Sequence, residues 1–275
     1  MTNPRVILVT GASSGIGAAT ARLFAQKGYR VAIAARRFDR LQSLAEEIQS
    51  QGGQSLPVPA DLSRLEDIQG LARTVLENFG QIDVLFNNAG FGRLKWLEEL
   101  DPYKDIQAQI QVDVLGVIWM TQAVLPHMIG RRSGLIINMA SMAGHIATPT
   151  YTAYAASKFA VRGFSEALRR EVGVFGVRVS TICPGGVQTE FGEVAGINRT
   201  TKVSTPKWLV LSAEDVAQTA WRLTQRPRRE VILPWIMRLS VWANALFPGV
   251  LDRAIESRFV KPERFGAGSK SQKMT

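Results

Sequence analysis

The chain has 275 residues, of which 46% are hydrophobic and 20% are charged, and this composition suits one large soluble domain, alone or with an appendage. The single cysteine, Cys183, excludes an intramolecular disulfide and a cysteine-based metal site, and no metal is expected. The net charge of +10 is uneven, because from Arg222 onward eleven basic residues face four acidic ones. The remaining body is nearly neutral and is not expected to bind nucleic acid.

Short apolar runs alternate with longer amphipathic segments along the chain. The short runs predict strands over residues 5–10, 30–35, 55–60, 82–87, 134–140, 177–183 and 230–233. The longer segments predict helices over residues 15–27, 39–50, 64–79, 102–129, 151–174 and 213–225. This alternation is typical of a parallel sheet covered by helices on both faces, so we predict a doubly wound α/β fold.

The segment between the first strand and the first helix is rich in glycine and reads Thr10-Gly-Ala-Ser-Ser-Gly-Ile-Gly17. Gly11 can make the tight turn, Gly15 lets a pyrophosphate approach the backbone, and Gly17 lets helix and strand pack closely. The spacing differs from the common Gly-x-Gly-x-x-Gly, and a tight strand-to-helix turn could want glycine for its own sake. The position after the first strand favours a nucleotide site formed by Gly11, Ser13, Ser14, Gly15, Ile16 and Gly17.

The end of the second strand reads Ala34-Ala-Arg-Arg37 and carries no acid. An acid at this point would hold the 2′-hydroxyl of an NAD ribose and repel a 2′-phosphate. Arginine side chains suit a phosphate instead. Arg36 and Arg37 therefore predict a preference for NADP(H), and the alternative interpretation is a solvated basic turn.

Tyr154 and Lys158 lie four residues apart on a predicted helix, so their side chains leave the same helix face. A phenol has a pKa near ~10, and a fixed ammonium nearby favours the phenolate and lowers that pKa toward neutrality. Ser141 precedes Tyr154 by thirteen positions. Tyr151 has alanine four positions further on, so we assign it to pocket lining or packing.

Together these motifs resemble those of the short-chain dehydrogenase/reductase family over about residues 4–235. The matching segments, in family order and at family spacing, are the glycine motif 10–17, Asp61-Leu62, Asn87-Asn-Ala-Gly90, Ser141, Tyr154 with Lys158, and Pro184–Thr189. The resemblance implies a single Rossmann-like domain with seven parallel strands, a nicotinamide cofactor and reversible carbonyl/alcohol chemistry. Arg36 and Arg37 resemble the NADP-preferring branch.

The resemblance also implies which residues contact the cofactor. Asp61 and Leu62 would contact the adenine, and Asn88, Ala89 and Gly90 would line the adenosine-ribose side. Val187 and Thr189, beside Pro184 and Gly185, would contact the nicotinamide carboxamide and the pyrophosphate. Taken alone, Asn87–Gly90 could be only a strand-ending turn, and Pro184-Gly185 only the start of a loop.

The implied chemistry transfers a hydride between the nicotinamide and a carbonyl carbon. Ser141 would donate a hydrogen bond to the carbonyl oxygen and Tyr154 would donate the proton. Lys158 would hold the nicotinamide ribose and lower the pKa of Tyr154. We expect an NADP(H)-dependent carbonyl reductase or alcohol dehydrogenase, and the alternative is a non-catalytic nucleotide-sensing or scaffold protein on the same fold.

Position 113 departs from the family pattern. The family usually carries an asparagine in an Asn-x-x-Gly run that completes a proton relay through water to the lysine, whereas this chain has Asp113 followed by Gly116. An ionised aspartate only accepts hydrogen bonds and could pair with Lys158, which would weaken the positive field at Tyr154. Alternatively, the relay uses only the backbone carbonyl and the side chain matters little.

Residues 188–212 fall where the family places its substrate lid. Apolar side chains that could form a pocket are Phe91, Leu94, Trp96, Tyr151, Phe191, Val194 and Trp208. No cluster of basic residues in this region indicates an anionic substrate, although Arg93 and Lys95 lie near the expected mouth of the pocket. We therefore expect a hydrophobic ketone or aldehyde as the substrate.

The catalytic domain is expected to span residues 1–234, followed by an apolar and basic helical extension over 235–265 and a disordered polar tail over 266–275. The extension carries only one charge, Arg238, before Leu251. A break at Pro248-Gly249 makes its apolar run shorter than the ~20 residues of a membrane span.

Two interpretations of the extension remain open. It could form a helix that covers the substrate cleft or a subunit interface. Alternatively, residues 235–260 could lie on a membrane surface, with apolar side chains in lipid and arginines at the headgroups. By analogy with the family we expect a homodimer or homotetramer in the cytoplasm, a location that a lone thiol also suits.

Overall fold

Seven strands form the centre of the computed structural model, which describes residues 4–196 and 206–266. In chain order they are β1 (Val6–Thr10), β2 (Arg30–Ala35), β3 (Gln54–Pro59), β4 (Val84–Asn87), β5 (Gly134–Met139), β6 (Val177–Pro184) and β7 (Glu230–Leu233). All neighbouring strands are parallel, and the spatial order is β3-β2-β1-β4-β5-β6-β7. The order reverses between β1 and β4, and in open α/β sheets ligands bind in the crevice at such a point.

Helices cover both faces of the sheet. They are α1 (Gly15–Gln26), α2 (Phe38–Ser50), α3 (Leu65–Phe79), α4 (Pro102–Arg131), α5 (Thr152–Val172), α6 (Phe191–Val194) and α7 (Ala213–Gln225). The predicted ends of these strands and of the predicted helices differ from the observed ends by at most two residues. The predicted doubly wound fold with seven parallel strands is confirmed.

The alternation of side chains along β1 explains why both faces of the sheet are covered. All five of its residues are buried: Ile7 and Val9 join the hydrophobic core on one face, and Val6 and Leu8 join the core on the other. A strand that is buried at every position needs a layer of helices on each face of the sheet.

Helix α4 is the longest in the described part of the chain, and its first half is irregular. It contains wide π-helical turns over Pro102–Gln107 and Gln111–Gly116, and Asp113 lies in the second of them. By length and composition alone α4 could cross a membrane, but it packs against α3, β4 and β5 inside the domain. Such π-turns are often found at functional sites because they redirect individual side chains.

The extension after β7 is helical and returns to the domain. It comprises α8 (Met237–Leu246), α9 (Pro248–Ile255), a π-turn (Glu256–Val260) and α10 (Lys261–Phe265). The buried Phe259 ring lies 6.3 Å from the Trp96 ring, and the Arg264 guanidinium lies 3.7 Å from the centre of the Trp96 ring. The extension therefore folds back onto the loop between β4 and α4.

Part of the predicted lid and most of the predicted tail lie outside the described residues. Within the lid the structure describes α6 and a short 3₁₀ turn, Lys207–Leu209, but not residues 197–205. Of the tail predicted over 266–275, only Gly266 is described.

Candidate active site

The glycine loop after β1 forms a cradle that larger residues would fill. Gly11 has φ +66°, and a Cβ on it would lie 2.7 Å from the Ala89 Cα atom. A Cβ on Gly17 would lie 2.3 Å from the Gly11 carbonyl oxygen. The loop thus lies close against the end of β4 and leaves the N-terminus of α1 open toward the crevice. This cradle fits the pyrophosphate of a dinucleotide, because backbone amides at a helix N-terminus favour an anion.

One cleft of about 1200 Å³ opens at the carboxyl ends of the strands. It brings together nearly all the site residues predicted from the sequence, namely Gly11, Ser13, Ser14, Gly15, Ile16, Arg36, Arg37, Asp61, Leu62, Asn88, Ala89, Gly90, Ser141, Tyr154, Lys158, Pro184, Gly185, Val187 and Thr189. Gly17 and Asp113 are buried behind its wall.

The basic turn after β2 forms one end of this cleft. Arg37 donates hydrogen bonds to the hydroxyls of Ser13 and Ser14, at 3.0 and 2.9 Å. Glu190, which the sequence analysis did not assign, accepts hydrogen bonds from Arg37 at 3.3 Å and from Arg40 at 2.8 Å. The Arg40 guanidinium, assisted by Arg37, lowers the pKa of the Glu190 carboxyl. A carboxylate therefore occupies the basic turn in which the sequence predicts a phosphate.

Polar contacts join the end of β4 to the glycine loop. The Thr10 hydroxyl accepts hydrogen bonds from the backbone amides of Asn88 and Ala89, at 3.0 and 3.1 Å. The Asn88 side chain donates to the Thr10 carbonyl at 3.0 Å. At Asp61, which the sequence predicts to contact the adenine, one carboxylate oxygen accepts hydrogen bonds from the amide and hydroxyl of Ser63. Asn88 and Thr10 therefore fix the distance between the two strands that border the crevice.

Tyr154 and Lys158 project from the first two turns of α5 into the cleft, as their spacing predicts. The Lys158 Nζ atom lies 5.4 Å from the centre of the Tyr154 ring, and both side chains are buried. Ser141 begins a 3₁₀ turn directly after β5, and its hydroxyl accepts a hydrogen bond from the Ala143 amide at 3.1 Å. Tyr151 lines the cleft beside Tyr154, with ring centres 6.1 Å apart.

Asp113 pairs with Lys158, which is one of the two alternatives that the sequence left open. Its Oδ2 atom lies 3.2 Å from Lys158 Nζ, and its Oδ1 atom accepts a hydrogen bond from the Phe91 amide at 2.9 Å. Ser157 donates a longer hydrogen bond to the same carboxylate, at 3.4 Å. The Asp113 side chain is fully buried, and this burial raises its pKa against the opposing effect of Lys158.

The charges around Tyr154 act in opposite directions. Burial raises the pKa of the Tyr154 phenol above its ordinary value, and Asp113 adds to this effect. Lys158 and a hydrogen bond with Ser141 lower that pKa but do not outweigh burial. For Lys158, burial is the largest single effect and disfavours the charge, but Asp113, Tyr154 and Cys183 together outweigh it, so the pKa of the ammonium lies above its ordinary value. The net effect of the protein on the Tyr154 pKa is therefore opposite to the lowering expected from Lys158 alone.

A second, partly buried cluster lies behind Ser141, and no sequence motif indicates it. The Arg162 guanidinium donates to the Gly144 carbonyl at 2.7 Å and to Glu230 Oε2 at 2.9 Å. His145 Nε2 lies 3.3 Å from the same Glu230 oxygen. Although burial alone would raise it, His145 and Arg162 lower the pKa of Glu230 to about 2.

The same cluster includes Cys183, whose thiol faces Glu230 at 3.7 Å. Burial raises the pKa of this thiol. Ligand atoms of His145, Cys183 and Glu230 lie within 4.8 Å of one another, but a cation among them would meet the Arg162 guanidinium. We therefore assign the cluster to an ion-pair network that holds the Ser141 turn against β7 and α5.

The apolar end of the cleft contains only some of the residues that the sequence predicts for the pocket. Phe91, Leu94, Tyr151 and Phe191 line it, whereas Trp96 and Trp208 do not. Trp96 is engaged by the C-terminal extension, and Trp208 is largely exposed. The Val194 side chain lies outside the described part of the structure. Residues without a predicted role also line the cleft, among them Met142, Ile146, Met237 and Ser240.

The two basic residues near the expected mouth are paired with an acid. Arg93 Nε lies 3.3 Å from Asp105 Oδ1, and Lys95 Nζ lies 4.0 Å from Asp105 Oδ2. Their charges are thus partly neutralised by α4, so the mouth does not present a free cationic cluster through these two residues.

Comparison with known proteins gives consistent matches. A family model described as short chain dehydrogenase matches residues 5–199. The D-threitol dehydrogenase of Mycolicibacterium smegmatis is 40% identical over 191 residues, which cover 70% of this chain and 73% of that protein.

Two solved structures extend the match beyond the sequence motifs. The alcohol dehydrogenase of the archaeon Thermococcus sibiricus, complexed with 5-hydroxy-NADP, shares 33% identity at a TM-score of 0.75 and covers 83% of this chain and 95% of its own. A short chain dehydrogenase/reductase from Burkholderia phymatum, in complex with NAD, shares 26% identity at a TM-score of 0.81 and covers 91% and 97%. With the family model matching well over half of the residues, the chain belongs to the short-chain dehydrogenase/reductase family and is an oxidoreductase acting on CH–OH groups.

Proposed function

We propose that the protein is an NADP(H)-dependent oxidoreductase that interconverts a hydrophobic ketone or aldehyde and its alcohol. The proposal rests on the positions of Ser141, Tyr154 and Lys158, which lie together at the apolar end of the cleft. The glycine cradle forms the other end of the same cleft. A nicotinamide dinucleotide extended from the cradle along this cleft would reach all three side chains.

The preference for NADP(H) over NAD(H) is supported by the basic turn after β2. Arg36 and Arg37 line the cleft, and Arg37 is already held by the hydroxyls of Ser13 and Ser14. A guanidinium that is oriented before binding loses less side-chain freedom when it contacts a phosphate. The Thermococcus sibiricus neighbour carries an NADP derivative and the Burkholderia phymatum neighbour carries NAD, so the argument rests on this chain's own arginines.

The chemistry of this chain's residues follows from their placement. When bound, a nicotinamide supplies or accepts the hydride. The Ser141 hydroxyl donates a hydrogen bond to the substrate oxygen, where negative charge develops during reduction. Tyr154 gives its phenolic proton to that oxygen during reduction, and its phenolate takes the proton back during oxidation. Lys158 holds the nicotinamide ribose, and its charge opposes the effect of burial on the Tyr154 pKa.

The hydrophobic substrate class is supported by the side chains around Tyr154. Leu94 and Ala143 pack in one cluster with Tyr154, and the Phe191 ring lies 5.4 Å from the Tyr154 ring. Met142 and Ile146 extend this apolar lining. The relative from Mycolicibacterium smegmatis is named for a polyol. A screen over ketones and aldehydes of increasing chain length, with a polyol as comparison, tests this choice directly.

The proposed reaction is tested by replacing Tyr154 with phenylalanine, which removes the proton donor and keeps the ring. We expect NADPH-dependent turnover to fall by ~10²-fold or more, because general acid catalysis contributes about this much. Tyr151→Phe is the matched control, since it removes a neighbouring hydroxyl on the same cleft wall. Unchanged turnover in Tyr154→Phe would contradict the mechanism. NADPH binding without turnover of any carbonyl would favour the non-catalytic alternative.

For assembly and location, we propose a cytoplasmic homodimer or homotetramer built on α4 and α5. The exposed Phe159 on α5 supports this, since an apolar side chain on an outer helix face gains from burial in a subunit contact. Light scattering on Phe159→Glu measures it: we expect the variant to be smaller than the parent protein, and equal masses would contradict this interface.

A further inference from the structure

The outer face of α8 is apolar and open to solvent. Leu239, Trp242 and Leu246 follow one another at helical spacings of three and four residues, so they share one face. Trp235, just before the helix, continues this stripe, and Phe247 and Val250 extend it onto α9. All six side chains are between 62% and 71% exposed. We call Trp235, Leu239, Trp242, Leu246, Phe247 and Val250 the α8–α9 apolar face.

The inner side of the same helix borders the cleft. Met237 and Ser240 line it, and the Met237 sulfur lies against Gly185, where a Cβ would approach it to 2.6 Å. The interpretation of the extension as a cleft cover is thus supported for this inner side. It does not explain the outer side, because a helix that is apolar on both sides is normally buried on both.

The net charge of the C-terminal extension indicates which kind of partner the α8–α9 apolar face binds. From Trp235 to the end of the chain there are seven basic residues against three acidic ones. Two of the basic residues, Arg238 on α8 and Arg253 on α9, are exposed beside the apolar face. Self-association through this face would bring two such basic segments together, which is unfavourable. An anionic lipid surface instead gains from both features, because tryptophan and phenylalanine favour the membrane interface and arginines favour anionic headgroups.

We propose that the α8–α9 apolar face binds an anionic lipid bilayer. Binding through this face places the mouth of the cleft, bordered by Met237 and Ser240, at the membrane surface. The consequence that a substrate dissolved in the bilayer enters the cleft past α8 rests on the proposed function, whereas the lipid binding itself does not.

Co-sedimentation with vesicles tests the binding on the full-length protein, without nucleotide or substrate. The vesicles contain phosphatidylcholine alone or phosphatidylcholine with phosphatidylglycerol, at low and high salt. We expect sedimentation with the anionic vesicles at low salt and a decrease at high salt. The double variant Leu239→Glu/Trp242→Glu should lose at least ~10-fold in vesicle affinity, since two charges replace interfacial side chains.

Val174→Glu is the matched control, because Val174 is an equally exposed apolar residue beyond the end of α5, next to the start of β6. It should bind vesicles as the parent protein does, and thermal unfolding should show that all variants fold. Absence of sedimentation with anionic vesicles at low salt would overturn the proposal. Equal binding by the double variant would also overturn it. A parent dimer that becomes monomeric in the double variant, without vesicle binding, would identify the face as a subunit interface and refute lipid docking.

The lipid result and the enzymatic result remain distinguishable. Turnover of a water-soluble aldehyde with NADPH, measured without vesicles, tests the reaction alone. A protein that turns over this aldehyde but ignores vesicles refutes only the docking, and one that binds vesicles but lacks turnover refutes only the proposed function.

Discussion

At the scale of single residues, the electrostatic field at Tyr154 depends on how strongly Lys158 also interacts with Asp113. The ammonium lies 3.2 Å from a buried Asp113 oxygen and 5.4 Å from the centre of the Tyr154 ring. Asp113 is held in turn by the Phe91 amide, so its carboxylate cannot easily rotate away. An asparagine at the same position would leave Lys158 with its full field on the phenol, so we expect Asp113 to influence the pH range of the proton transfer.

Replacing Asp113 with asparagine should lower the pKa of Tyr154, because Asp113 is one of the groups that raises it. In alcohol oxidation the phenolate acts as the base, so the acidic limb of the rate profile should move to lower pH, by roughly one pH unit. The profile of kcat against pH measures this. Asp105→Asn, the same change elsewhere on α4, should leave the limb in place, and an unmoved limb in Asp113→Asn would show that the side chain does not influence the phenol.

Glu190 should compete with the 2′-phosphate for the arginines after β2. It pairs with Arg37 and Arg40 at the surface, and an incoming phosphate must replace it. Glu190→Gln should therefore tighten NADPH binding by about two- to five-fold, the range expected for an exposed ion pair. Fluorescence titration measures this, with Glu46→Gln on α2 as the charge control. Weaker NADPH binding in Glu190→Gln would show that the carboxylate assists the site.

At the scale of elements, α5 does more than carry Tyr154 and Lys158. Arg162, one turn beyond Lys158, joins the turn after Ser141 to Glu230 on β7. Because β7 leads directly into the extension, the same ion pair connects the proposed catalytic serine to the wall that α8 forms on the cleft. The serine turn is thus held from behind by charged residues that do not line the cleft.

The Glu230 ion pair should contribute stability that depends on pH. Its folded pKa of about 2 lies below the ordinary value of 4.5, so the carboxylate stabilises the fold fully above pH 4.5. That contribution is lost as pH falls from about 4.5 toward 2. Urea unfolding of the parent and of Glu230→Gln should differ by about 2 kcal/mol at pH 6, and by much less at pH 3. A difference that is independent of pH would contradict the assigned ion pair.

At the scale of the whole molecule, one cleft connects the glycine cradle with the proposed catalytic residues. The cradle lies where the strand order reverses between β1 and β4, and the cleft continues past the carboxyl ends of β5 and β6 toward the C-terminal extension. The sheet itself is buried on both faces. Ligand binding to such a preformed cleft should stabilise the entire domain, because a ligand that binds only the folded state shifts the unfolding equilibrium.

Thermal unfolding with each cofactor tests this at the whole-molecule scale. NADPH at 100 times its Kd should add about 2.7 kcal/mol to the free energy of unfolding, and NADH at the same concentration should add less. Arg37→Ala should abolish the difference between the cofactors, whereas Arg178→Ala, an exposed arginine on β6, should preserve it. Equal Tm values with both cofactors in the parent protein would contradict the NADP(H) preference.

The local sequence pattern was sufficient to predict the helices and strands and most of the residues that line the cleft. Periodicity of apolar residues specifies which face of a helix or strand is buried, and burial of an entire strand such as β1 specifies a parallel sheet between helices. The glycine loop and the pair Tyr154/Lys158 are likewise short in sequence. Their geometry is set by one turn or one helix, so it could be predicted before any tertiary contact was known.

The predictions that failed depend on side chains distant in sequence. Trp96 and Trp208 have the composition of a pocket wall, but packing directs Trp96 to the extension, while Trp208 remains at the surface. Apolar character alone does not say which of several surfaces a ring will cover, because any of them would remove it from water.

The sequence by itself therefore determined the doubly wound sheet, the nucleotide cradle and most of the residues that face the cleft. Only the tertiary structure decided that Asp113 pairs with Lys158, that Glu190 pairs with Arg37, which lies 153 positions before it, and that α8 turns an apolar face outward. The physical reason is that secondary structure follows from neighbours along the chain. The partner of a charge or the cover of an apolar face depends instead on which distant segments the whole fold brings within a few ångströms.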